Sequence, residues 1–198
     1  MKRTPAVERI IAAAVSHFAV RGYDGSSLTE IAEAVGIRKA SLYTHFASKD
    51  ALFMEIFRDA LSLEQDIASQ CFATEAKTAQ PGSKYCASLI KRYGVSDHLR
   101  FLLRTGYMPP SALETEIHEA HERYLGQLQD AFRSRLIAYA GLSEGDVETY
   151  AHAYIGMVDS LQVKLVYTDA RQATVRLKAM QWMLSDALAQ ATQRKVNP

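Results

Sequence analysis

The chain has 198 residues, 48 % of them hydrophobic and 23 % charged, enough apolar material to bury a core and too much for a disordered chain. Its 23 Lys and Arg against 22 Asp and Glu exclude a polybasic protein held to nucleic acid by bulk charge, and residues 1–60, with eight basic and seven acidic side chains, are balanced too. No run of about 18 apolar residues occurs, and Glu8 and His17 interrupt the first helical pattern, so neither a membrane span nor a signal peptide is expected and the chain is expected in the cytoplasm.

Thr4 before Pro5 is an oxygen cap followed by proline at the first helical position, and Val7, Ile10, Ile11, Ala14 and Phe18 then repeat at helical spacing until Gly22. Ser27-Leu28-Thr29-Glu30 fits a capping box. Leu28, Ile31, Ala32 and Val35 form the apolar stripe of this second, short helix, which Gly36 stops. A third short helix follows through Ala40, Ser41, Leu42, Tyr43 and Phe46, and Ser48 caps a fourth from Lys49 towards residue 72. Pro81-Gly82, Gly94 with Ser96-Asp97, Pro109-Pro110, Gly141 to Gly145 and Thr168-Asp169 then punctuate the chain. Five further helices are predicted between them, near 83–93, 97–107, 112–140, 145–167 and 170–192. No segment alternates with a period of two and none repeats at a fixed period, so the fold class is all-α with about nine helices. Cys71 and Cys86 lack CxxC or zinc-finger spacing and read as small apolar fillers rather than a disulfide framework.

A helix, a glycine-containing turn and a short second helix make the helix-turn-helix arrangement, whose second helix fits the major groove while the first crosses the backbone. The string Phe18, Gly22-Tyr23, Ser26-Ser27-Leu28, Ile31-Ala32, Val35-Gly36-Ile37, Ser41-Leu42-Tyr43, His45-Phe46, Ser48-Lys49-Asp50 and Leu52 resembles the DNA-binding signature of the tetracycline-repressor (TetR) family. The resemblance covers about residues 6–55; beyond residue 60 only length and helix pattern are similar. It implies a helix-turn-helix DNA-binding domain at 1–50, joined by the long fourth helix to a ligand-binding and dimerisation domain at 51–198. It further implies a homodimer on palindromic double-stranded operator DNA, with the helix at 38–46 in the groove, and repression until a small-molecule effector binds the C-terminal body.

The chemistry of these positions agrees. Helix N-termini present unpaired amides and a partial positive charge that suit phosphate oxygens, and the starts at Ser27 and Lys49 are such sites. Thr29, Tyr43 and His45 can add hydrogen bonds and Lys49 a charge, contacts that set position without reading sequence. Base reading falls to Arg38, Lys39 and Ser41, with Arg38 leading, because a bidentate arginine–guanine contact discriminates by about 1 to 3 kcal/mol. Arg38 departs from the family, which often has a small polar capping residue there, a role arginine cannot fill. Leu28, Ile31, Val35, Ile37, Leu42 and Phe46 are assigned to packing.

Val147, Tyr154, Ile155, Val158, Leu161 and Leu165, then Leu177, Met180, Leu184 and Leu188, make stripes broad enough to pack within a subunit and against a symmetry mate, and the family's usual dimer surface lies in these last two helices. The expected ligand residues are Tyr93, Phe101, Arg104, Tyr107, Met108, His121, Tyr124 and Tyr154, apolar walls with a few polar handles. His118-Glu119-Ala120-His121 spaces its histidines three apart, not four as in HExxH, so no metal is expected. An enzyme could draw on Asp159 inside an otherwise apolar helix, His152 and several tyrosines for an acid–base site; no nucleophile motif, phosphate loop or metal set accompanies them, and neither catalysis nor a cofactor is expected. The alternative is a helical adaptor that keeps the helix-turn-helix and has lost DNA binding, which the nearly neutral N-terminal region permits.

Overall fold

The computed structural model describes residues 3–140 and 142–196, and among these it contains nine α-helices and no strand. Lys2 and the punctuating Gly141 lie outside the described residues. The helices are α1 (Pro5–Arg21), α2 (Leu28–Ala34), α3 (Lys39–Tyr43), α4 (Lys49–Ala73), α5 (Ser83–Tyr93), α6 (Asp97–Tyr107), α7 (Glu114–Ala140), α8 (Glu144–Tyr167) and α9 (Ala170–Val196), with one 3-10 turn at Ser111–Leu113.

Most ends follow from local chemistry. The Thr4 side chain accepts from the Val7 amide at 3.4 Å at the start of α1, and Ser96 does the same for Leu99 at 3.2 Å at the start of α6. The end of α2 is a Schellman motif: Gly36, at φ 73, donates to Glu33 O, and Ile37 donates back to Ala32 O at 3.0 Å. The third helix ends at Tyr43, short of the predicted 46. Thr44 and His45 turn back onto Ser41 O and Leu42 O, tightening the chain, and Phe46 is buried beyond the helix. No described helix is long and apolar enough to cross a membrane.

The chain divides into two compact units, one of residues 1–64 with 96–120 and the other of 65–95 with 121–198. The first takes in more than the 1–50 segment expected to read DNA, because α6 packs along α1. Its centre is an aromatic cluster: Phe53 stands edge-on to Phe18 and to Phe101, each at 4.9 Å, and to Tyr23 at 5.2 Å. Ser16 on α1 hydrogen-bonds to Asp97 at the start of α6, which also pairs with Arg100. Near the other end of α6, Arg104 donates to Val20 O at 3.2 Å.

The second unit centres on Tyr85, Tyr124, Phe132 and Tyr154, all buried. The Tyr154 ring stacks on Phe132 at 3.9 Å, and its hydroxyl donates to Gly82 O at 3.0 Å. Buried Glu75 caps α5 from outside the helix, accepting from the amides of Gly82 at 3.0 Å and Lys84 at 2.9 Å, and pairs with Arg135 at 3.2 Å. Its charge is thus satisfied by two amides and one guanidinium, as a buried carboxylate requires. Cys71 and Cys86 are free and buried; burial pushes the Cys86 thiol up to about 12, which keeps it protonated and inert.

Candidate nucleic-acid interface

The N-termini of α2 and α4 and the short α3 border one open concavity of about 410 Å³, lined among others by Ser27, Lys39, Tyr43, Ser48 and Lys49. Ser27 caps α2, its hydroxyl oxygen accepting from the Thr29 amide at 3.1 Å. Ser48 caps α4, accepting from the Ala51 amide at 3.0 Å. Each capped terminus leaves further first-turn amides without an intrahelical partner. Behind α2, Arg21 pairs with Glu30 at 2.7 Å and holds that carboxyl below the usual range.

Lys49 is positioned by Tyr23. Its ammonium lies 4.1 Å from the centre of the Tyr23 ring, a cation–π contact, and the Tyr23 hydroxyl donates to Asp50. Burial, then the Asp50 bond, push the phenol up to about 12, so the donor proton stays in place at neutral pH. In the sequence Tyr23 stands only as part of the signature; nothing in the local pattern reveals that it carries a lysine 26 positions downstream.

Of the eight residues expected at DNA, Ser27, Lys39, Tyr43 and Lys49 share the concavity. Thr29, Arg38, Lys39, Ser41, Tyr43 and His45 are exposed, while Leu42 between them is fully buried. Arg38 is the N-cap of α3 and makes no side-chain cap bond.

The eight residues expected at a ligand divide between the two units: Phe101, Arg104, Tyr107 and Met108 fall in the first, and Tyr93, His121, Tyr124 and Tyr154 in the second. Phe101 and Tyr154 are core side chains, each 1 % exposed. Arg104 and Met108 border a pocket of about 220 Å³ in the first unit. Tyr124 borders a groove of about 390 Å³ in the second, between Gln65, Asp66, Ser69 and Phe72 of α4 and Gln127, Leu128 and Ala131 of α7. His121 is buried with its ring 6.2 Å from Tyr124, and His118 faces Glu114. Sequence spacing gave no sign of the α4 contribution to this groove.

Residues 10–56 match the family model for bacterial regulatory proteins of the tetR family. Over 162 residues, 81 % of each chain, the protein is 24 % identical to the helix-turn-helix-type transcriptional regulator YdgC of Bacillus subtilis. It is 48 % identical to the biofilm operon negative transcriptional regulator IcaR of Staphylococcus aureus, but over only 46 residues, 25 % of that protein. Among solved structures, a tetR-family regulator from Mesorhizobium loti superposes with a TM-score of 0.65 at 25 % identity, covering 94 % of this chain and 98 % of that one. The fatty acid degradation regulator FadR from Bacillus halodurans shares the fold, with a TM-score of 0.67 at 20 % identity over 93 % and 96 % of the two chains. The all-helical fold, the helix-turn-helix and the matched signature agree: residues 10–56 are a DNA-binding segment of the tetR type, and the chain as a whole is similar to transcriptional regulators of that family.

Proposed function

We propose that the protein is a repressor that binds a palindromic operator as a homodimer and leaves it when a small effector binds the second unit. The observation that carries the DNA reading is the concavity bordered by the N-termini of α2 and α4 with Lys39, Tyr43 and Lys49. It offers amides, a phenol and two ammonium groups to one stretch of phosphate backbone. Ser27, Thr29, Tyr43, His45 and Lys49 set the position; Arg38, Lys39 and Ser41 meet the bases.

Dimerisation through α8 and α9 is supported by large apolar side chains that stand mostly exposed on the subunit. Val175, Trp182 and Met183 of α9 are 65 %, 71 % and 64 % exposed. Beside them is an apolar cleft lined by Tyr150, Ala153, Gly156 and Met157 of α8 and Met180, Met183, Leu184 and Ala187 of α9. A second copy covers this surface through an isologous contact. The α4–α7 groove with Tyr124 is the effector site, backed by His121 against Tyr124 and Tyr154 against Phe72. Release follows if the effector binds the DNA-incompetent state more tightly than the competent one.

Selection of bound fragments from a pool of random duplex DNA at moderate salt tests the reading. An enriched inverted repeat, with half-sites about one helical turn apart or a multiple of it, is the expected result. Fragments no different from the input pool, with and without candidate effectors, would overturn it in favour of the adaptor.

A further inference from the structure

The first unit holds a pocket of its own, of about 220 Å³, at the C-terminal ends of α1 and α6. The half-buried Tyr23 ring borders it, and the Phe18 and Phe53 rings, 1 % and 2 % exposed, close it from behind, with ring centres 4.9 to 6.4 Å apart. Its cation is Arg104, whose guanidinium lies against Gly22 so closely that a Cβ there would meet Nε and Nη2 at 3.0 Å. One N–H of that guanidinium is engaged, by Val20 O at 3.2 Å. The other cation at the pocket, Arg21, is held by Glu30 at 2.7 Å, and Asp24 at the border disfavours a second negative charge on any occupant. Met108 and Pro109 complete an apolar wall.

We propose that this pocket binds a small monocarboxylate with an aromatic body, and that its occupancy weakens DNA binding through Tyr23. A guanidinium N–H recognises a carboxylate by a charge-assisted hydrogen bond, the Tyr23 ring favours a flat apolar body, and the volume lies below the range typical of drug-sized ligands. Occupancy reaches DNA by a short path. Tyr23 borders the pocket, supports the Lys49 ammonium on its ring and donates to Asp50, so a ligand seated against it competes for the ring that positions Lys49. This regulatory consequence rests on the reading of the first unit as the DNA-binding one; the binding itself does not, and it is distinct from the effector groove of the second unit.

Calorimetry on the full-length protein without DNA, with phenylacetate as probe and phenylacetamide as its uncharged counterpart, tests the site. Phenylacetate is expected to saturate and the amide to bind about ten-fold more weakly or worse, the loss of one charge-assisted contact. Arg104→Gln should abolish the preference for the acid, Arg104→Lys should keep part of it, and Met108→Trp, which fills the pocket and leaves Arg104 in place, should block both probes. Thermal melts of each variant establish that it is folded. No heat with phenylacetate, or an acid preference unchanged in folded Arg104→Gln, would overturn the site. With a selected operator, phenylacetate should weaken binding of the wild type about five-fold or more, within the range of ordinary allosteric coupling, and leave Lys49→Met unaffected. Arg104-dependent binding without any change in DNA affinity overturns the path through Tyr23. Failure to select any operator overturns the DNA reading instead and leaves the calorimetric result standing.

Discussion

Arg38 and Lys49 are both cations near the reading helix, yet their surroundings assign them different work. Arg38 stands exposed at the start of α3, with no side-chain cap bond to hold it back from a base edge. Lys49 is half-buried on the Tyr23 ring at the N-terminus of α4, a terminus of the kind that suits a phosphate oxygen. Arg38→Ala is therefore expected to relax specificity at one base pair per half-site, by about 1 to 3 kcal/mol. Lys49→Ala should weaken all operator variants alike and flatten the salt dependence by about 0.9 per lost phosphate contact. Affinity measured on a panel of single-base operator variants at two salt concentrations separates the two; equal losses across the panel for Arg38→Ala refute a reading role. Glycines divide in the same way. Gly36 and Gly82 both have φ 73, but a Cβ on Gly36 meets nothing within 4 Å, whereas on Gly82 it would collide with the Tyr154 ring. Gly36→Ala should lose only the left-handed backbone term of about 1 to 2 kcal/mol. Gly82→Ala adds a steric clash and disturbs the Tyr154–Gly82 hydrogen bond, so urea denaturation should show the larger loss there.

At the scale of the element, α3 has five residues, far too few to be stable alone. It is held by Leu42, fully buried, and by Phe46 just beyond its end. Leu42→Ala is expected to destabilise the protein by about 2 to 5 kcal/mol and to reduce DNA affinity while touching no nucleotide, which denaturation and binding assays on one sample can both read. The helices were legible in the sequence wherever their ends are set by neighbours in the chain. Thr4, Ser27, Ser48 and Ser96 each accept from an amide two or three residues on, so caps and periodicity place those starts. The end of α3 was not legible, because the burial of Phe46 is decided by tertiary packing. The same holds for the candidate sites. Exposure of Thr29, Arg38 and His45 follows from the stripe opposite them, but the Tyr23–Lys49 contact and the α4 side of the effector groove join residues far apart in sequence. In α9 the sequence shows a stripe broad enough for two surfaces without saying which side chains stay open. Met183, in the cleft with Met180 and 64 % exposed, is the place to test this. Met183→Glu buries a charge in the proposed dimer surface, and sedimentation should show a shift towards monomer with helical content unchanged.

At the scale of the whole molecule, the unit that carries the helix-turn-helix is discontinuous in sequence, and this bears on how it can fold. Phe101 arrives from α6, about fifty residues after Phe53, to close the aromatic cluster at 4.9 Å from that ring and 6.2 Å from Phe18. Leu99, Leu102 and Leu103 of the same helix are also buried. A fragment of residues 1–64 keeps every residue expected at DNA but exposes the face of α1 that α6 covers. Burial of a large apolar side chain contributes about 1.5 to 3 kcal/mol, comparable in sum to the whole stability of a small domain. The fragment is therefore expected to show helical circular dichroism at low temperature and no cooperative thermal transition. In the full chain, Phe101→Ala should remove about 3 to 5 kcal/mol. If Phe101 instead served a ligand, as its place in the sequence invites, the substitution would change effector affinity and leave the melting temperature near that of the wild type. A fragment 1–64 that melts cooperatively near the full chain's midpoint would show that α6 lends the reading head nothing, and the unit would end where the sequence alone would have ended it.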